Sequence, residues 1–237
     1  MINKNLLLLV IIVTLINFIS FYNFFRKDLT DDKKHSISNA SKKLLNELDD
    51  IVYFKVFLHG DIPIEYQSLQ REIKYMLDEF RMYSKYIEYD FIDPSAVQNE
   101  EYQMQMYESL YQKGIQPIPH RKYENNKVEE TWIFPGITTI YRNKEYSASI
   151  INNAVSNNID ITINNSINKI ENILTKCLRQ VTINKKPKIG FINGHGEMVN
   201  QSIISFKNEI SEYYDIADVT INGQLIALDN LDCIIIN

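Results

Sequence analysis

The feature that most constrains this chain is an uncharged, strongly apolar run near its N-terminus. Leu6–Phe25 contains no Asp, Glu, Lys, Arg or His, and Arg26 and Lys27 follow it directly. A helix of about 20 apolar residues spans the hydrocarbon core of a bilayer. We therefore expect a transmembrane anchor over residues 1–27, followed by a polar body on one side of a membrane.

Two other interpretations of this run fit it less well. A cleaved signal peptide has an apolar core of about 7–15 residues that ends in small residues, whereas this run is longer and ends in bulky aromatic residues such as Phe24 and Phe25. Aromatic side chains suit a membrane–water interface. A buried core helix fits less well because the run is hydrophobic all round and lies at the very start of the chain. The positive charges of Arg26 and Lys27, taken alone, favour a cytoplasmic body.

Length, net charge and cysteine content limit the classes of protein to which the polar body can belong. The chain has 237 residues, so that about 200 remain after the anchor, enough for one large domain or two small ones. The net charge is −5 and no long basic cluster occurs, which excludes nucleic acid as an expected partner. The two cysteines, Cys177 and Cys233, fit no metal-ligand spacing and form no C-x-x-C pair, so we expect buried thiols rather than a disulfide.

Hydrophobic periodicity predicts an α/β protein. Residues 28–50 contain a short membrane-proximal helix, and residues 51–183 follow the order β-α-β-α-β-β-α of a thioredoxin-like domain. Its crossover helices imply that the first two strands pair in parallel, and Pro119 disfavours a central strand near it. The predicted elements are Ile51–Leu58 (strand), Tyr66–Tyr83 (helix), Tyr86–Ile92 (strand), Val97–Lys113 (helix), Glu129–Phe134, Gly136–Arg142 and Glu145–Ile150 (strands), and Asn165–Val181 (helix).

Residues 186–237 predict the start of a second, doubly wound α/β domain. Its predicted elements are the strand Lys188–Ile192, the helix Gln201–Tyr214, and the strands Ala217–Ile221 and Cys233–Ile236. A parallel sheet needs further strands and covering helices to bury both of its faces. We therefore expect this domain to be truncated, and the chain to be a fragment or a shortened reading frame.

One turn has the position of a ligand site. Gly194, His195, Gly196 and Glu197 follow a predicted strand and precede a predicted helix, where α/β proteins bind ligands. The N–H groups of the helix start could hold an anion there, and His195 and Glu197 could serve in acid–base chemistry. The alternative is that two glycines simply make a tight turn.

Other chemistry has weaker support in the sequence. His59 and Asp61 form a possible metal-ligand pair, but no third ligand is apparent, and we predict no metal site. The chain has neither a P-loop nor a G-x-S-x-G nucleophile elbow. We therefore predict no catalytic residues and no cofactor.

Several segments, taken in order, resemble the GldG family of gliding-motility-associated ABC transporter auxiliary proteins, often called substrate-binding proteins. The segments that carry the resemblance are Arg26–Thr30, Ser36–Leu45, Tyr53–Asp61, Leu77–Arg81, Glu88–Pro94 and Lys188–Glu197. Each segment alone is weak evidence, and the specificity of the resemblance lies in their combination.

The resemblance implies an inner-membrane protein with its body in the periplasm, associated with the permease and ATPase subunits of an ABC-type complex. It also implies a thioredoxin-like module followed by a domain similar to class I glutamine amidotransferases, and a second transmembrane helix beyond this sequence. We therefore expect a non-enzymatic, membrane-anchored accessory subunit whose small ligand the sequence does not name. The alternatives are a membrane-tethered hydrolase or amidotransferase-like enzyme that uses His195 and Glu197, and a purely structural tether.

Overall fold

A computed structural model describes residues 4–5, 9, 12–14, 37–97, 99–124, 127–151, 158–194, 196, 201–223 and 226–236. The chain divides into two compact units, Met1–Ser38 and Asn39–Asn237. The predicted domain boundaries near residues 27, 50 and 183 remain predictions.

The predicted transmembrane span is not found. Among the described residues, no helix is both long enough and apolar enough to cross a bilayer. The 20-residue helix Ile64–Tyr83 has the length, but Arg71, Glu72 and Lys74 lie in its middle. Of the predicted span Leu6–Phe25, only Leu9 and Ile12–Thr14 are described, as helix, and the remainder lies outside the described residues. This finding contradicts the predicted fold class with its N-terminal anchor and the predicted inner-membrane location.

The unit Asn39–Asn237 is a mixed α/β structure. Its helices are α1 (Asn39–Asn46), α2 (Ile64–Tyr83), α3 (Glu100–Gln112), α4 (Ile159–Ile167), α5 (Ile170–Thr182) and α6 (Gln201–Ile210). Its strands are β1 (Val52–Val56), β2 (Ile87–Phe91), β3 (Ile118–Glu124), β4 (Lys127–Ile133), β5 (Gly136–Tyr141), β6 (Lys144–Ser149), β7 (Lys188–Ile192), β8 (Asp215–Val219) and β9 (Cys233–Ile235).

Four strands form a mixed sheet in the order β2-β1-β5-β6. Strands β1 and β2 run parallel, with Val52 opposite Ile87, which confirms the predicted parallel pairing. Strand β5 is antiparallel to both β1 and β6. Because β1 and β2 are parallel neighbours, their carboxyl ends lie at the same edge of the sheet.

The core forms where the apolar helix stripes meet this sheet. Leu69, Ile73, Leu77 and Phe80 recur at helical spacing along α2, and all four are fully buried. Helix α2 packs on β2, while α5 packs on β5 and β6. The predicted single helix Asn165–Val181 is instead two helices, α4 and α5, separated by a turn at residues 168–169.

Strands β3 and β4 form a separate two-stranded hairpin. Ile118 pairs with Ile133 at its base, and β3 contains Pro119. The sequence predicted only the second of these strands. The expectation that Pro119 would stay out of a central strand is confirmed, because the hairpin is not part of the four-stranded sheet.

The remaining strands form a parallel three-stranded sheet in the order β8-β7-β9. Strand β7 lies at the centre and is mostly buried. Gly190 in β7 faces Leu231 so closely that a β-carbon there would overlap the leucine side chain. Glycine at this position therefore permits the close packing of the segment that precedes β9.

Candidate binding groove

A cavity of about 330 Å³ opens beyond the carboxyl ends of β1 and β2. The segment Phe57–Ile62 follows β1 and Asp93–Ser95 follows β2, and both contribute to its lining. Helix α3 and strand β4 supply the other walls. Ligands of α/β proteins commonly bind beyond the carboxyl ends of parallel strands, so we treat this cavity as the candidate site.

Aromatic side chains form much of the cavity wall. Phe57 and Phe134 are buried in a small cluster with Leu110 and Ile115. The ring of Tyr107 lies 4.6 Å from that of Phe134, centroid to centroid. Trp132 is 44% exposed and is the single tryptophan of the chain. The cavity thus presents aromatic surface that solvent or a ligand can reach.

Asp93 is held in place by the turn that follows β2. Its Oδ1 accepts hydrogen bonds from the backbone N–H of Ser95 at 2.8 Å and from the Ser95 hydroxyl at 2.6 Å. Its Oδ2 lies against Gly60, where a β-carbon would overlap it. Gly60 has a φ of +91°, a left-handed conformation that glycine adopts at little cost. A glycine on one loop therefore makes room for a carboxylate on the next.

The cavity lining is acidic. Asp61 and Asp93 contribute carboxylates and His59 an imidazole, and the lining contains no Lys or Arg. Among the described residues, neither Asp61 nor Asp93 forms an ion pair. Burial, reinforced by the negative charge of Asp93, raises the pKa of Tyr107. The carboxylate is therefore close enough to act on groups within the cavity.

A second cavity of about 370 Å³ adjoins the first. The two share Asp61, Ile62 and Thr131, and the second is also lined by Glu65 and His120. We call the two cavities together the hairpin groove, because the β3–β4 hairpin contributes to both.

Among the described residues, the polar groups of the groove form no serine–histidine pair. In a serine hydrolase the nucleophilic hydroxyl donates to a histidine. Here the hydroxyl of Ser95 donates to Asp93 at 2.6 Å, and Nδ1 of His59 lies 3.3 Å from Nε2 of Gln70. This arrangement holds the turn after β2 in place and pairs Ser95 with a carboxylate rather than with a histidine.

The metal-ligand pair considered in the sequence acquires no further ligands. His59 and Asp61 both line the first cavity. Across the part of the chain that the structure describes, no three His, Cys, Asp or Glu side chains come together as a metal site.

The predicted site at residues 194–197 is only partly described. Gly194 and Gly196 have φ values of +102° and +98°, so both occupy the left-handed region that a tight turn requires. His195 and Glu197 lie outside the described residues. Neither described glycine lines the hairpin groove. The site at residues 194–197 therefore stays a prediction, and the hairpin groove is a separate candidate.

Sequence reasoning missed Asp93, Tyr107 and Trp132 as members of a site. The Asp93-Pro94 pair was interpreted only as the end of a strand. The available signal was topological: two predicted parallel strands each end in an acidic turn, one with Asp61 and the other with Asp93. No sequence signal indicated that Trp132 lines the cavity, because its position depends on how the β3–β4 hairpin packs.

Comparison with known proteins gives a single result. The model of a family described as a domain of unknown function, DUF7088, matches residues 31–140. The match includes every residue that lines the hairpin groove. No curated protein matches the chain, and no solved structure matches it. The chain is thus a mixed α/β protein with an acidic, aromatic groove, and its first half is similar to this uncharacterised family.

Proposed function

We propose that this chain is a non-enzymatic accessory subunit of an ABC-type transporter complex associated with gliding motility. In this proposal it assembles with a permease subunit and with an ATPase subunit, and ATP is hydrolysed on the ATPase subunit. The hairpin groove is the surface that contacts a partner or a ligand.

The observation that carries the proposal is the character of the groove. It combines exposed aromatic surface at Trp132 with the carboxylates of Asp61 and Asp93. Aromatic residues dominate the binding energy of many protein interfaces, and fixed carboxylates provide orientation. The Ser95 hydroxyl is bound to Asp93 within its own turn rather than to a histidine. This chemistry supports recognition better than bond cleavage, and the association with a transporter rests on the resemblance to the GldG family.

Affinity purification of the tagged full chain from detergent-solubilised cells tests the proposal. We expect mass spectrometry to identify an ABC-type ATPase and a permease in stoichiometric amounts. Absence of both subunits from the purified material, with the tagged chain intact and folded, would overturn the proposal.

A pair of aromatic variants tests the part played by the groove. Trp132→Ala removes an exposed aromatic side chain within the groove, whereas Tyr111→Ala removes one on α3 that is 62% exposed and does not line it. We expect Trp132→Ala to reduce recovery of the partner subunits and Tyr111→Ala to leave it unchanged. Equal recovery with both variants would place the partner surface elsewhere.

A further inference from the structure

We propose that the first cavity of the hairpin groove binds an organic cation, an alkylammonium or guanidinium group. This inference deepens the proposed function, on which it rests for the role of the groove, by naming the chemical class that the groove accepts. The group belongs either to a small amine or guanidine or to a Lys or Arg side chain of a partner protein.

The first argument is charge. The cavity holds Asp61 and Asp93, and no cation of the described chain neutralises either carboxylate. An incoming cation gains the attraction of both carboxylates, and low-dielectric walls strengthen that attraction. An anionic ligand would be repelled by the same two groups.

The second argument is the aromatic wall. A cation is attracted to the face of an aromatic ring within about 6 Å of its centroid, most strongly to Trp and Tyr. Trp132 and Tyr107 both line the cavity that contains the carboxylates. Carboxylate and aromatic faces together favour an organic cation over a small inorganic ion, and guanidinium, which is more weakly hydrated than an ammonium, most of all.

One arginine of this chain already contacts both an aromatic ring and a carboxylate. The guanidinium of Arg81 lies 4.3 Å from the ring centroid of Tyr89, and it forms a 2.5 Å ion pair with Glu88. The first cavity presents the same two kinds of partner, ring and carboxylate, on its wall. A guanidinium that enters it can therefore make contacts that this fold already uses.

Size and coordination argue against two other occupants. The volume of about 330 Å³ is at the lower end of the range for small-molecule sites, roughly 300–1,000 Å³. It accommodates a guanidinium on a short alkyl chain but not a large cofactor. A metal ion would need several closely spaced ligands, and the described residues provide no such group.

Fluorescence of Trp132 provides the direct test, because the chain has no other tryptophan. The full chain is titrated with agmatine, with a capped pentapeptide that has Arg at its centre among alanines, and with the same peptide carrying norleucine in place of Arg. We expect saturable changes in emission with agmatine or the Arg peptide, none with the norleucine peptide, and weaker binding as NaCl is raised.

The variant Asp93→Asn tests the role of the carboxylate. Its amide oxygen can still accept the hydrogen bonds from Ser95, so that the turn is retained. We expect affinity for the cation to fall by about tenfold or more, equivalent to about 1.4 kcal/mol. Asp229→Asn removes the same charge from an exposed position outside the groove and is expected to bind as the parent does. Asp61→Asn, which changes an exposed side chain, serves if Asp93→Asn does not fold.

Each outcome bears on the inference. Binding of the Arg peptide alone identifies a partner side chain, and comparable binding of agmatine identifies a small organic cation. Binding of neither probe, by fluorescence and by calorimetry, overturns the inference, as does unchanged affinity in the folded Asp93→Asn and Asp61→Asn variants. If the parent chain binds neither probe but still recovers the ATPase and permease, this inference alone is overturned. If it binds a probe but recovers neither subunit, the proposed function alone is overturned.

Discussion

The phenol of Tyr146 donates a 2.5 Å hydrogen bond to Oε1 of Glu212. Tyr146 lies on β6 of the four-stranded sheet, and Glu212 lies between α6 and β8 of the three-stranded sheet. Lys176 on α5 forms a 2.8 Å ion pair with the same carboxylate oxygen. Burial alone would raise the pKa of Glu212, but the hydrogen bonds from Lys176 and Tyr146 outweigh it and hold the pKa below its ordinary value. One carboxylate thus links the two sheets.

This link predicts a loss of stability at high pH. Burial, together with the hydrogen bond to Glu212, raises the pKa of Tyr146 from 10.0 to about 12. The unfolded chain releases the phenolic proton first, so the stabilisation is complete below pH 10 and is lost as the pH rises towards 12. We expect urea unfolding to show a flatter dependence on pH in this range for Tyr146→Phe. Tyr111→Phe, at an exposed position, is the control and should keep the parent slope.

Thr139 offers an opportunity to stabilise the fold. It is fully buried, and its hydroxyl has no conventional hydrogen-bond partner among the described residues, with only the weakly polar thiol of Cys177 interacting with it. An unsatisfied buried hydroxyl costs about 1–3 kcal/mol. We expect Thr139→Val to raise the free energy of unfolding by about 1 kcal/mol.

The neighbouring threonine provides the matched control for this substitution. Thr138 is also buried, but its hydroxyl is hydrogen-bonded to that of Ser147 at 2.7 Å. Thr138→Val should therefore lower the free energy of unfolding. The same sign of change in both variants, measured by urea denaturation, would contradict the argument.

Gly60 is predicted to be essential for the geometry of the groove. Gly60→Ala places a methyl group in a left-handed conformation and against the carboxylate of Asp93. Gly114→Ala has a comparable φ of +81° but open space around it. Both variants should lose about 1 kcal/mol from backbone strain. Gly60→Ala should lose more, measured by thermal unfolding, and equal losses would exclude the predicted clash.

The two cysteines should differ in reactivity. Burial, with smaller opposing contributions from Thr139 and Lys176, raises the pKa of the Cys177 thiol to about 12, whereas Cys233 is exposed. The thiolate is the reactive form. Alkylation with iodoacetamide should therefore modify one thiol in the native chain, mapped by mass spectrometry to Cys233, and both thiols in denaturant. Rapid modification of Cys177 in the folded chain would contradict this prediction.

Local patterns were sufficient to predict most individual elements. The strand Lys188–Ile192 has its predicted bounds, and the helix predicted over Tyr66–Tyr83 begins at Ile64. These segments have strong apolar periodicity, which is set by residues close in sequence. Strand β3 was missed because Pro119, His120 and Arg121 lack an apolar alternation. It is extended because its backbone hydrogen-bonds with β4, a later segment of the chain.

The groove could not be predicted in the same way. It brings Asp61, Asp93 and Trp132 together from three separate loops and strands. Their proximity depends on the parallel pairing of β1 with β2 and on the direction in which the hairpin folds, both of which are long-range properties. The prediction at residues 194–197 relied on a local glycine pattern, which identifies a turn more readily than a site.

The separation of the β3–β4 hairpin from the four-stranded sheet has a consequence for how such proteins diversify. Strands β3 and β4 hydrogen-bond with each other, and the strands of the sheet β2-β1-β5-β6 pair without them. Substitutions at His120, Thr131 and Trp132 on the hairpin strands therefore reshape one wall of the groove while the strand pairing of the four-stranded sheet is kept. The ligand selectivity of the groove can thus change at these hairpin positions without a change in the order of the sheet strands.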